Sequence, residues 1–145
     1  MNLFRVNANI VVVCDGDRTA AEGEGSRIKD RVRRINTEVQ NIPRAHIWVT
    51  KGKEIENYLP GSILAKVFAI ENVPDPGQYE RFFPSDSADA NIASFVESHL
   101  NRKTIDKMDL AVQSAPHMTK EIMERRFDLV EQMTQIIDRI RAWNA

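Results

Sequence analysis

Two short acidic clusters hold the side chains best suited to chemistry in this sequence. Asp15 and Asp17 close the apolar run VVVCDGD, and Glu54 and Glu56 follow a second run, WVTKGKEIE. Side chains alternate along an extended chain, so acids at i and i+2 point the same way if that geometry persists. Two carboxylates that close repel each other unless a cation neutralises them, and their hard oxygens suit Mg²⁺. Asp and Gly are also turn formers. The same residues therefore fit a plain strand-end turn, although the buried character of the run before them favours a site. In Lys51-Gly52-Lys53-Glu54-Ile55-Glu56, either glutamate can join the aspartates, and Lys51 and Lys53 can meet phosphate charge. From the residues alone, a solvated charged surface accounts for that run slightly better.

The elements that must position these acids are two strands and the helix between them. Asn9–Cys14 is β-branched and apolar on both faces, the pattern of a strand covered on both sides of a parallel sheet. Cys14 reads as a small buried residue within it. Ser26 is a suitable N-cap for a helix over 27–40, with Ile28, Val32, Ile35 and Val39 on its apolar face. His46–Thr50 is the second strand. Strand, helix and strand so close together predict a βαβ unit with a right-handed crossover. Its two strands end on the same sheet edge, which is where open α/β sheets bind ligands.

Downstream, Glu54–Leu59 reads as a helical turn or an irregular segment before Pro60, and Ser62 to Ile70 as a short helix. Residues 73–87 form a loop whose Tyr79, Phe82 and Phe83 pin it to the core. Helices are then predicted over 89–101, over 104–114, and as one long helix from an N-cap at Thr119 to Trp143. His46, His99 and His117 lack ligand-like spacing, and neither a Walker A sequence nor GxGxxG occurs. Arg31, Arg33, Arg34, Arg125 and Arg126 read as basic patches or as wet helix faces. Only two strands are legible, fewer than the usual four to six or so. Either others are hidden, or the chain is part of a larger α/β domain.

Composition sets the outer bounds. The 145 residues suit one domain, and 28% charged residues argue against general disorder. Twenty basic against 21 acidic residues give a net charge of −1, which excludes a globally basic nucleic-acid coat but not a local patch. A single cysteine allows no intrachain disulfide and fits a reducing compartment. The longest apolar run, Ile10–Cys14, falls far short of the roughly 20 residues that span a bilayer. No apolar signal-peptide core follows Met1. A soluble cytoplasmic protein without membrane contact is expected.

With these motifs in place, the segments VVVCDGDRT, IKDRVRRINTE and WVTKGKEIENYLP together resemble the C-terminal TOPRIM domain of ABC-type ATPases, a group that includes the overcoming-lysogenization-defect nucleases of phage defence. The likeness reaches to Pro60, with Lys107-x-x-x-Ala111 as a weaker later match. It implies a partial TOPRIM-like, Rossmann-like α/β core over 1–70 and a loop and α-helical extension over 71–145. It further implies a Mg²⁺-dependent (or Mn²⁺-dependent) hydrolase of nucleic-acid phosphodiesters, with DNA preferred over RNA. Asp15 and Asp17 fall on the metal-ligand pair, Glu56 on a further acidic metal position, and Lys107 on a late lysine that stabilises phosphate charge. An ABC-type ATPase in cis or in trans, and a second copy of the chain, are the implied partners.

TOPRIM domains carry a glutamate-bearing loop upstream of the aspartate pair, and here the eight residues before Asn9 contain no acid. The expectation is therefore the C-terminal portion of a longer protein, with an incomplete active site in this chain. Two other classes compete. Asp15-Gly16-Asp17-Arg18-Thr19 fits the DxDxT of haloacid-dehalogenase-like phosphatases, with Asp15 as nucleophile, Asp17 as general acid/base and Val49-Thr50 as an imitation of the second motif. A non-catalytic assembly module is the other.

Overall fold

The computed structural model describes residues 9–18, 28–85 and 92–145. Strand β1 (Val11–Cys14), helix α1 (Asp30–Gln40) and strand β2 (His46–Val49) form a parallel βαβ unit. The register pairs Val11 with His46 and Cys14 with Val49, so both strands end side by side. The fold is thus mixed α/β, with a small two-stranded parallel sheet among the described residues. Helix α1 starts at Asp30 with Lys29 at its N-cap, later than the expected start at 27 after a Ser26 cap; Ser26 itself lies outside the described residues. Val32 and Val39 are the residues that α1 buries.

Behind the strand ends, Ile55–Tyr58 makes a 3₁₀ turn, followed by helices α2 (Gly61–Phe68), α3 (Phe95–His99) and α4 (Lys107–Ser114). Leu64, Phe82, Phe95, Val96, Leu100 and Leu110 form one apolar cluster among these elements. Burying each such side chain is worth about 1.5–3 kcal/mol. Phe82 stacks on Phe95 and meets Phe83 edge-on, which pins the loop as its aromatics suggested. Trp48, Tyr58 and Leu129 form a second cluster. Both clusters draw on residues before and after 70, where the α/β part was expected to give way to the helical one.

Three expectations need correction. The long helix from Thr119 is two helices, α5 (Lys120–Met123) and α6 (Leu129–Trp143). Thr119 does cap α5, accepting from the Ile122 N–H. The break comes where Phe127 takes a left-handed backbone with φ 45°. It turns Arg126 and Asp128 inward, where Arg126 donates to the Asn57 and Pro76 carbonyls and Asp128 accepts from the Tyr58 hydroxyl. Helix α3 starts later than predicted because Ser94 and Glu97 form a capping box; the expected start at Asp89 lies outside the described residues. Finally, β1 is not covered on both faces: Val13 is 49% exposed, whereas Trp48 of β2 is buried against Leu129 and Ile136 of α6.

Candidate functional site at the strand ends

The C-terminal ends of β1 and β2 are bound together before any functional side chain is placed. The Gly16 N–H donates to the Thr50 hydroxyl, which in turn donates to the Gly52 carbonyl. The Asp17 N–H donates to the Lys53 carbonyl at 2.9 Å, and the Lys53 N–H to the Gln78 carbonyl at 2.8 Å. Thr50 is fully buried at this junction. The acids are thus presented on a backbone fixed from both sides.

Every residue of the IENY turn makes a connection. The Ile55 N–H donates to Asp15 Oδ1 at 2.9 Å. Glu56 Oε1 faces the Lys107 ammonium at 3.6 Å. Asn57 is fully buried and donates to the Gly77 and Glu80 carbonyls. The Tyr58 hydroxyl accepts from the Lys51 N–H and donates to Asp128. Burial first, and then the Asp128 carboxylate, push that hydroxyl far above its ordinary pKa.

Glu54 is the residue that sequence reasoning left undecided. Its Oε2 accepts from the Phe82 N–H at 2.7 Å, and its backbone N–H donates to Asn57. Burial raises the Glu54 carboxyl above the usual carboxylate range. The charges of Glu56 and Asp15 push in the same direction, opposed by the Phe82 N–H and Lys107. Asp15, Glu54, Glu56 and Lys107 thus share one electrostatic neighbourhood. The signal in the sequence was the E-x-x-N capping pattern, which turns Glu54 inward alongside Glu56.

Asp17 sits at the same strand end but faces elsewhere. Its φ of 50° breaks the extended geometry, so Asp15 and Asp17 no longer repeat each other's direction. Asp17 Oδ2 lies 2.8 Å from Lys29 Nζ and 3.8 Å from Arg31 Nη2, at the start of α1. Together with Lys29, Lys53, Glu54, Arg81 and Lys107 it lines a cleft of 880 Å³. Lys107 reaches into this cleft with its ammonium 4.3 Å from the centre of the Phe83 ring.

As they stand, Asp17 and Glu56 are paired with Lys29, Arg31 and Lys107, while Asp15 and Glu54 accept backbone N–H groups. Among the described residues, no three Asp, Glu, His or Cys side chains are grouped to enclose a metal ion. One atom is left over: Glu56 Oε2 is buried and has no hydrogen-bond partner. Burying such an oxygen is costly unless something satisfies it. The donor set is all carboxylate, which suits a hard divalent cation in kind. Thr19, which the DxDxT reading needs, lies outside the described residues. Half-buried Cys14 has its thiol pKa raised by burial first, then by Asp15, which disfavours a reactive thiolate.

Searches against protein-family models, curated proteins and solved structures each find no match to this chain. Among the described residues no helix is long and apolar enough to cross a membrane.

Proposed function

We propose that this chain is the metal-binding part of a TOPRIM-type nuclease acting on DNA phosphodiesters, coupled to an ABC-type ATPase. The observation that carries it is the grouping of Asp15, Glu54, Glu56 and Lys107 at the ends of two parallel strands, with the orphaned Glu56 Oε2 among them. Mg²⁺ or Mn²⁺ would be held by Asp15, through the oxygen that does not bond Ile55, and by Glu56, with Asp17 joining once it leaves Lys29. When bound, the cation supplies electrophilic stabilisation of phosphoryl oxygens. The residues of the chain do the rest. Lys53 and Lys107 meet phosphate charge from the cleft wall. Phe83 steadies the Lys107 ammonium. The Thr50 and Asn57 hydrogen bonds keep the acids fixed while substrate enters.

A plasmid-nicking assay with Mg²⁺ or Mn²⁺, using this chain joined to its ATPase partner, tests the reading. Asp15→Asn and Glu56→Gln should each abolish cleavage, and unchanged cleavage in both would sink it. A second reading, a non-catalytic assembly module, is favoured by the ion pairs that already occupy Asp17 and Glu56. Metal binding without turnover would decide for that reading.

A further inference from the structure

The cations that neutralise the acids stand where helix electrostatics least wants them. Lys29 is the N-cap of α1, Arg31 lies in its first turn, and Lys107 is the first residue of α4. A helix N-terminus carries partial positive charge and favours anions. These cations therefore do nothing for their own helices. Their side chains are 61%, 71% and 62% exposed, whereas Asp17 and Glu56, which they pair with, are only 21% and 13% exposed. Each pair thus joins a mostly buried acid to a largely exposed cation, and two of these cations, Lys29 and Lys107, line the cleft. The cation of each pair stays solvated, and at 3.6–3.8 Å the Arg31 and Lys107 contacts are looser than the 2.8 Å Lys29 contact, so these cations can leave for a competing anion.

From this arrangement we infer that Lys29, Arg31 and Lys107 are exchangeable counter-ions. They hold Asp17 and Glu56 in the resting protein and transfer to the phosphates of a polynucleotide entering the cleft, which frees both carboxylates for a divalent cation. The inference rests on the proposed nuclease reading and adds its regulation. Polyanion and metal then bind with positive coupling, because a polyanion that draws the cations away leaves both acids uncompensated until a divalent cation binds, and both acids are compensated again when neither ligand is present. Metal scavenging by the empty site is suppressed because the lysines compete for the same oxygens. Lys53 and Arg81, on the same cleft wall, add attraction for the strand.

Calorimetric titration of the full chain with Ca²⁺, with and without a saturating short single-stranded DNA, tests the coupling without any turnover. DNA should raise the Ca²⁺ affinity by about fivefold or more, and Ca²⁺ should raise the DNA affinity by the same factor. Lys29→Ala should bind Ca²⁺ more tightly than wild type when DNA is absent, bind DNA less tightly, and lose most of the coupling. Lys120→Ala removes one positive charge from α5, outside the cleft, and should change none of these values. If DNA leaves the Ca²⁺ affinity unchanged or lowers it, the exchange is wrong while the nuclease reading stands. Equal effects of the two variants would reduce it to net charge and overturn it. If Ca²⁺ binds under neither condition, in wild type or in Lys29→Ala, both the exchange and the metal-dependent reading fall.

Discussion

Gly16 stands between the two aspartates because there is no room for a side chain. A Cβ there would lie 2.3 Å from the Thr50 carbonyl oxygen and 2.9 Å from that of Gly52, both backbone atoms that cannot swing aside. Gly16→Ala should therefore part the two strand ends, at a cost of about 1–3 kcal/mol or more in denaturant unfolding. Glu54 makes a prediction of the opposite sign. Its folded pKa lies above the ordinary 4.5 because burial disfavours the charge. Between 4.5 and that raised value the folded state holds more protons than the unfolded state, so stability falls as pH rises through the window. Glu54→Gln keeps an oxygen for the Phe82 N–H and removes the titration. Melting temperatures measured across this window should fall with pH in wild type and stay flatter in the variant. An equally steep fall in Glu54→Gln would show that another group is responsible.

At the scale of elements, the turn between α5 and α6 sets the direction of the last helix. The apolar spacing of Ile122, Leu129, Val130, Met133, Ile136, Ile137 and Ile140 is continuous, and periodicity alone predicts one helix. Tertiary contacts break it. Arg126, itself buried, bonds the Asn57 and Pro76 carbonyls and pairs with Asp75 at 3.2 Å. These bonds anchor α6 to the 3₁₀ turn that carries Glu56. Arg126→Met keeps the apolar bulk but leaves two carbonyls without their charged donor. It should lower stability by about 3 kcal/mol in urea titrations, since a hydrogen bond to a charged group contributes roughly 1.5–3 kcal/mol. A loss below the precision of that measurement would mean that the break is set by Phe127 rather than by this network. Of the caps read from the sequence, Thr119 does start a helix, whereas α1 starts after Lys29 rather than Ser26; the Ser94–Glu97 capping box that starts α3 is a local signal missed by the predicted start at Asp89.

Over the whole molecule, the near-balanced charge means that the DNA binding proposed above would have to come from a local arrangement. Lys29, Lys53, Arg81 and Lys107 line the cleft, opposed there by Asp17, Glu54 and Glu80. A chain with net charge −1 has no general affinity for a polyanion, so each cleft lysine should register individually. Lys53→Ala should weaken DNA binding and reduce the slope of log K against log salt by about one. An unchanged slope, measured by fluorescence anisotropy over a salt series, would remove Lys53 from the DNA path.

The residues themselves determined the βαβ unit, the strand ends and the acid pairs, because β-branched apolar runs, helical spacing and the strand-breaking Asp15-Gly16 and Lys51-Gly52 are local properties. Only the tertiary structure decided which way each acid faces. Asp17 turns to Lys29 through a left-handed backbone, Glu54 turns inward to Phe82, and Glu56 keeps one buried oxygen unsatisfied. Those outcomes depend on partners 12 to 51 residues away in sequence, namely Lys29 for Asp17, Phe82 for Glu54 and Lys107 for Glu56. No spacing rule within a single element encodes them.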